Sequence, residues 1–318
     1  ILAVVLMVCT MRMDYSEIGR SLLRAGIWFP AVLLLWLFVY LLNACSWYLI
    51  INDGKKYPIP FWKVYKLSVS GFALNYTTPC GLMGGEPYRI MELAPYTGVS
   101  KASSSVILYV MMHIFSHIWF WFLSIFLYIF MYPVSLSMAL LLAVVGACCL
   151  LAVFFFLKGY RAGMMLKALG LLKKVPFLKK RASGFLESKR ETLVRIDEQI
   201  ALLHGQHKKT FYSSLVLEFM ARLLSSLEIY FVLRAFSAEV SVGDAVLILA
   251  FSSLFSNLIF FSPMQLGARE GGLALAVGGL HLSGALGVYT GLITRVRELV
   301  WIAIGIVLIK IGNSKQNT

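Results

Sequence analysis

From Ile27 to Ile51 this chain runs without a single charged residue and is apolar nearly throughout. As a helix at 1.5 Å per residue the run reaches about 38 Å, more than the roughly 30 Å of a bilayer's hydrocarbon core. Ser103–Met131 is a second such run, and after a tight turn at Tyr132–Pro133, Val134–Leu157 is a third. Phe211–Phe236 and Ser283–Ile311 are equally long but carry a few charges. Lipid cannot satisfy backbone N–H and C=O groups, so runs of this length read as spanning α-helices. The expected class is an all-α polytopic membrane protein. Composition agrees: the chain is 14% charged with a mean hydropathy of +0.80, against about a quarter charged in soluble domains. It starts at Ile1 with no cleavable leader pattern, and "ILAVVLMVC" is read as the tail of a first spanning helix.

The formal charge is +14, and its placement orients the chain. Lys158–Lys209 holds 13 Lys/Arg against 4 Asp/Glu. A basic block of this kind reads as a positive-inside cytoplasmic loop lying on an anionic lipid surface, with amphipathic helix around "KKVPFLKKR". No nucleic-acid recognition motif accompanies it, so nucleic acid is not expected as a partner. With that loop inside, the Tyr132–Pro133 turn is outside, Lys101 and "NDGKK" at 52–56 are inside, and "SAEVSVGD" is outside. Met11–Gly26, with three Arg against Asp14 and Glu17, fits this scheme least well. The five cysteines show neither disulfide nor zinc spacing.

Two segments do not read as spans. Phe61–Leu74 is short and holds Lys63 and Lys66, and it runs into "NYTTPCGLMGGEPYR". Ala245–Phe261 runs into "SPMQLGAREGG" before a short apolar piece, Leu273–Leu280. Each reads as a half-helix that enters the membrane and turns back, with a turn that must be buried in protein or line a wet cavity. The two segments also match each other. Pro79 precedes Glu86 by seven residues and Pro263 precedes Glu270 by seven; Asn75 and Asn257 come before the prolines. Gly84 and Gly85 sit in one turn, Gly267 and Gly271 in the other.

By the charge scheme one hairpin enters from inside and the other from outside. That is an inverted repeat, an architecture that places a substrate site where broken helices meet. Residues 1–157 form the first repeat, with a re-entrant hairpin at about 61–98. Residues 158–209 form a basic linker, and 210–318 the second repeat, with a hairpin at about 245–282.

The turns carry the candidate site. Helix ends expose N–H groups suited to an anion, and Arg89 and Arg269 add forks that bind phosphate in pairs of hydrogen bonds. Glu86 and Glu270 orient them. Glu218 and Arg222, spaced i, i+4, and Arg295 and Glu298, spaced i, i+3, are further charges inside spans. Each costs about 2.5–3.5 kcal/mol at the bilayer centre and so faces the bundle interior; helix–helix pairing alone would also account for them. His113 and His117 lack the carboxylate of a zinc-protease motif and read as packing or cavity lining rather than a metal site. The Lys–Ser/Thr ending of a phosphate-binding loop is absent, and no Ser or Cys is paired with a base. No cofactor or metal is expected.

"NYTTPCGLMGGEPYRIMELAPYTGVSKASSSVI" resembles the first signature region of the lysylphosphatidylglycerol synthase transmembrane (flippase-like) family. "FFSPMQLGAREGGLALAVGGLHLSGALGVYTGLITRVRELVWIAIG" is similar to the second. The resemblance runs over nearly the whole chain, and its motifs fall on Asn75, Pro79, Gly85, Glu86, Arg89, Pro263, Gly267, Arg269, Glu270 and Arg295. "TTPCGLMGG" is looser than the family's compact Pro–x–x–Gly–Gly turn. The resemblance implies a multi-pass protein that moves a lipid headgroup between leaflets. The best-known members are fused to an aminoacyl-transferring domain; this chain stops at Thr318, so lipid synthesis is not carried over.

The expectation is therefore a non-enzymatic flippase or scramblase in the cytoplasmic membrane of a bacterium. Its substrate would be an anionic phospholipid or a polyprenyl-phosphate-linked lipid. Its substrate residues would be Asn75, Glu86, Arg89, Asn257, Arg269, Glu270 and Arg295, and its protein partners a second copy or a separate lipid-modifying enzyme. The alternatives are a membrane-embedded transferase acting on a lipid phosphate and a non-transporting subunit that docks a partner.

Overall fold

A computed structural model describes residues 26–54, 56–77, 84–160, 194, 198, 207–236, 238–259, 265 and 267–313. These residues form nine helices and no strand. In chain order they are α1 (Trp28–Ile51), α2 (Phe61–Thr77), α3 (Gly85–Thr97), α4 (Val99–Met131) and α5 (Leu136–Tyr160), then α6 (Lys208–Ala235), α7 (Val242–Leu258), α8 (Ala268–Gly279) and α9 (Gly284–Asn313). Trp28–Ile51, Val99–Met131 and Leu136–Lys158 are long and apolar enough to cross a membrane. α6 and α9 are 28 and 30 residues long but interrupt their apolar sequence with charges at mid-length. The chain is an all-α membrane protein. Most of the basic linker, and Pro79 and Pro263 with it, lie outside the described residues.

Local chemistry sets the helix ends. Ser241 opens α7 with a capping box: its hydroxyl accepts from Asp244 N at 3.1 Å, and its own N–H donates to the Asp244 carboxylate at 2.8 Å. The Ser135 hydroxyl accepts from Met138 N at 3.3 Å and caps α5 with that single bond. Gly98, at φ 81°, both closes α3, by donating to Ala94 O, and starts α4. That left-handed geometry is open to glycine without strain, so the chain passes from α3 to the 33-residue α4 with a single break.

Hydrogen bonds between helices give their directions. α1 and α6 pack side by side and antiparallel. Trp36 donates to Glu228 at 2.9 Å towards one end, and Ser46 and Ser214 donate to each other's carbonyls at 3.2 and 3.3 Å towards the other. α4 runs against α1, with Lys101 on Ile50 O and Trp47 on Ser105. It also runs against α7, through Trp121 on Ser253 at 3.0 Å and Tyr132 on Asp244 at 2.6 Å. Burial, and then the Asp244 hydrogen bond, push the Tyr132 phenol up to about 12. α9 runs against α2, with Ser70 on Gly305 O and Tyr76 on Glu298.

These directions bring Lys56, Lys63, Lys66, Lys101, Lys158, Lys208, Lys209 and Lys310 to one end of the bundle. His207 meets Asp53 there at 3.2 Å. Glu239 and Asp244 lie at the other end. α5 packs on α4, with Phe115 and Phe156 stacked at 4.2 Å, and turns its other faces outward: Leu136 is 80% and Val144 63% exposed. A bare apolar face of this size belongs in lipid.

The short helices form two antiparallel pairs. In the first, Gly85 lies against Gly71 so closely that a Cβ on Gly85 would stand 2.2 Å from Gly71 O. Further along, Lys63 pairs with Glu92 at 2.6 Å. In the second, Gly272 of α8 approaches Ser252 and Phe255 of α7.

Candidate functional site

A cavity of about 580 Å³ lies at the centre of the bundle, walled by every described helix except α5. That volume falls in the range of small-molecule sites. Its walls carry charge, which is costly at this depth and needs an account residue by residue.

Glu298, at mid-length on α9 and 1% exposed, is the centre of the largest cluster. Arg269, in the first turn of α8, makes a short ion pair with it. Arg295 reaches it from one turn back at 3.3 Å. Tyr76, at the end of α2, bridges the Arg269–Glu298 pair with contacts of 3.4 Å to each. Arg295 also binds Glu270 at 2.9 Å and the Gln265 carbonyl at 3.3 Å, and so ties α9 to the start of α8. Arg297 holds Glu228 of α6 with two bonds of 2.9 Å and lies 3.7 Å above the Trp36 ring. Arg269, Arg295 and Arg297 thus balance Glu228, Glu270 and Glu298, and the desolvated charges are paired.

The first hairpin holds a smaller cluster. Asn75 of α2 accepts from Gly85 N at 2.7 Å and donates to Glu86 at 3.1 Å. Arg89 pairs with Glu86 at 3.4 Å, donates to the Leu67 and Ser68 carbonyls, and sits over Tyr109 and Trp47. Its fork therefore clamps α3 to α2. One backbone N–H at the start of α3 and one at the start of α8 are occupied: Gly85 N by Asn75, and Gly267 N, at the N-cap, by Glu270 at 2.9 Å. Gly267, at φ 77°, uses glycine's left-handed freedom to make that turn.

A third cluster joins α4 to α6. His113 Nδ1 meets Glu218 at 2.8 Å. Arg222 Nη2 lies 3.2 Å from His113 Nε2 and 3.0 Å from His117 Nδ1. Glu218 and Arg222 form no ion pair with each other; both turn to the histidines.

Of the residues expected from sequence, Asn75, Glu86, Arg89, Asn257, Arg269, Glu218, Arg222 and Glu298 line the cavity. Glu270 and Arg295 stand behind it and hold Gln265 and Glu298 in place. Asn257 lines the wall but spends its amide on its own helix, at Ser253 O. Gly84 and Gly85 precede or open α3, and Gly267 and Gly271 lie at the start of α8. Tyr76, Trp36, Gln265 and Arg297 were not anticipated. Arg297 left a signal, since "RVRE" puts three charges into four residues of an apolar run; Trp36 and Tyr76 left none.

The arrangement offers a polar or anionic group hydrogen bonds and ion pairs in a cavity of small-molecule size. Among the described residues no group of three His, Cys, Asp or Glu is placed to hold a metal. A family model described as "Lysylphosphatidylglycerol synthase TM region" matches residues 1–305. No curated protein and no solved structure matches the chain. The match spans nearly the whole sequence, including all three charged clusters: the chain belongs to the lysylphosphatidylglycerol synthase TM region family, and so is a membrane protein linked to lipid metabolism or transport.

Proposed function

We propose that the protein is a flippase or scramblase of the bacterial cytoplasmic membrane that passes a phosphate-bearing lipid headgroup through the central cavity while the acyl chains stay in lipid. The observation that carries this reading is the charged cavity itself, lined by helices of both halves of the chain and bridged between them by Tyr76, Trp36 and His113. α1–α4 and α6–α9 correspond as two inverted repeats. Their equivalent helices α1 and α6 pack antiparallel through the reciprocal Ser46–Ser214 bonds, and α2 lies against α9 as α7 lies against α4. The short pairs, 17 and 13 residues in one repeat and 17 and 12 in the other, are too short for each helix to cross about 30 Å of hydrocarbon comfortably. They serve as re-entrant hairpins, one entering from the lysine-bearing end and the other from the opposite end. The positive-inside rule makes the lysine-bearing end cytoplasmic.

Two repeats closed over a shared site suit alternating access. The contact that has to open is the one from Tyr76 of the first repeat to Arg269 and Glu298 of the second. Arg89 and Arg269 are the hairpin charges nearest the headgroup's path. The test uses proteoliposomes carrying a trace of fluorescent phosphatidylglycerol, in which the fraction exposed to an outside quencher is followed. Wild type exposes inner-leaflet lipid, and Arg269→Ala slows this at least about tenfold, as loss of a charge-assisted contact implies. Wild-type vesicles no faster than protein-free ones overturn the reading.

A further inference from the structure

We infer that the headgroup site within this cavity is built on Arg222 and Glu218, and that it takes a phosphodiester which also carries a hydrogen-bond donor. The inference rests on the transport reading for its lipid, but not for its chemistry. Arg89, Arg269 and Arg297 line the same cavity and each is already paired with a carboxylate. An arriving phosphate has to displace that carboxylate, exchanging one charge-assisted bond for another. Arg222 has no ion pair among the described residues. Its Nη2 rests on two imidazole nitrogens, and its Nε is buried with no hydrogen-bond partner. A phosphate oxygen displaces only an imidazole nitrogen there and brings the guanidinium the opposite charge that it lacks, in a bond that can become a two-pronged fork.

The histidines are arranged to release the guanidinium. Glu218 accepts from His113 Nδ1, which fixes that proton and leaves Nε2 as a lone pair for Arg222. His117 Nδ1 stands 3.0 Å from Arg222 Nη2 and 3.0 Å from the His113 carbonyl. With a lone pair it accepts from Arg222; with a proton it donates to the carbonyl and lets Arg222 go. It cannot do both.

The second half of the site is Glu218 Oε1, buried with no donor, four residues from Arg222 on the same face and therefore roughly 5–6 Å away at Cβ. An unpaired carboxylate oxygen beside an unpaired guanidinium N–H suits a ligand that brings an acceptor and a donor together. A phosphodiester with a hydroxyl or ammonium on its alcohol does so.

The test is equilibrium binding to the full chain in nonionic detergent, read by native mass spectrometry. The probes are dioleoylphosphatidylglycerol, dioleoylphosphatidylmethanol (the same charge without a headgroup hydroxyl), uncharged dioleoylglycerol and water-soluble glycerol 3-phosphate. Phosphatidylglycerol binds best, phosphatidylmethanol more weakly and dioleoylglycerol least. Arg222→Gln weakens phosphatidylglycerol about tenfold or more, the size of one bond to a charged group, and more than Arg269→Gln does. Arg222→Lys, which keeps the charge without the fork, loses part of the affinity and serves if the glutamine variant does not fold. Wild-type affinity in Arg222→Lys, or binding of dioleoylglycerol equal to that of phosphatidylglycerol, overturns the site. Equal binding of phosphatidylmethanol overturns the role of Glu218. Glycerol 3-phosphate binding as tightly as the lipid keeps the oxyanion site and overturns the lipid as its source. Loss of binding in Arg222→Gln together with inactive wild-type proteoliposomes leaves this site standing and removes the transport reading alone.

Discussion

At the scale of single residues, the interior is held by charges that satisfy one another. Arg297 and Glu228 are 3% and 4% exposed and joined by two bonds, with Trp36 contributing both a ring face and an N–H. Removing one partner strands the other, and breaking a buried pair costs about 3–5 kcal/mol. Glu228→Gln and Arg297→Gln are each expected to lower the unfolding midpoint in detergent sharply. The double change Glu228→Leu with Arg297→Met should recover most of that loss, because it leaves no unpaired charge. A double variant as unstable as the sum of the singles would show that the pair does more than neutralise itself. None of this pairing follows from sequence spacing. Glu218 and Arg222 share a helical face, yet they bind His113 and His117 instead of each other, because α4 supplies nearer partners.

At the scale of elements, the first hairpin is a close approach of two helices through glycine. A Cβ on Gly71 would stand 2.3 Å from Arg89 Nε, and one on Gly85 would meet backbone oxygen at 2.2 Å. Gly71→Ala therefore has to push out the Arg89 clamp, and overpacking of this kind costs about 1–3 kcal/mol. Gly278→Ala, where the added methyl meets nothing within 4 Å, is expected to change stability little or raise it, since alanine is the better helix former. Thermal unfolding of the two variants in the same detergent gives the comparison; equal midpoints would mean that the α2–α3 contact is not tight in solution. Glu86 and Glu270 show how similar sequence motifs diverge in packing. Glu86 is held by Asn75 and Arg89 of its own hairpin, whereas Glu270 turns back to its own helix start and across to Arg295.

At the scale of the whole molecule, the five long helices alternate in direction so that the lysines at their ends gather on one side. Cysteine labelling in right-side-out vesicles of a background freed of its own cysteines reads this directly. Glu239→Cys should react with an impermeant thiol reagent from outside, and Lys209→Cys only after permeabilisation; the reverse pattern overturns the orientation proposed for the repeats. The sequence alone determined the all-α membrane class, because uncharged runs such as Ile27–Ile51 have no other way to satisfy their backbone in lipid. It also set the positions of the long helices to within a few residues, because they end where the apolar runs end. It singled out Glu86, Arg89, Arg269, Glu270, Arg295 and Glu298 as charges that needed burial. Spacing alone puts Glu86 beside Arg89 and Arg295 beside Glu298; tertiary structure decided every pairing between helices. The Tyr76–Arg269–Glu298 junction joins residues about two hundred positions apart, and an ion pair's partner depends on distances of a few ångströms that helical periodicity within one segment does not encode.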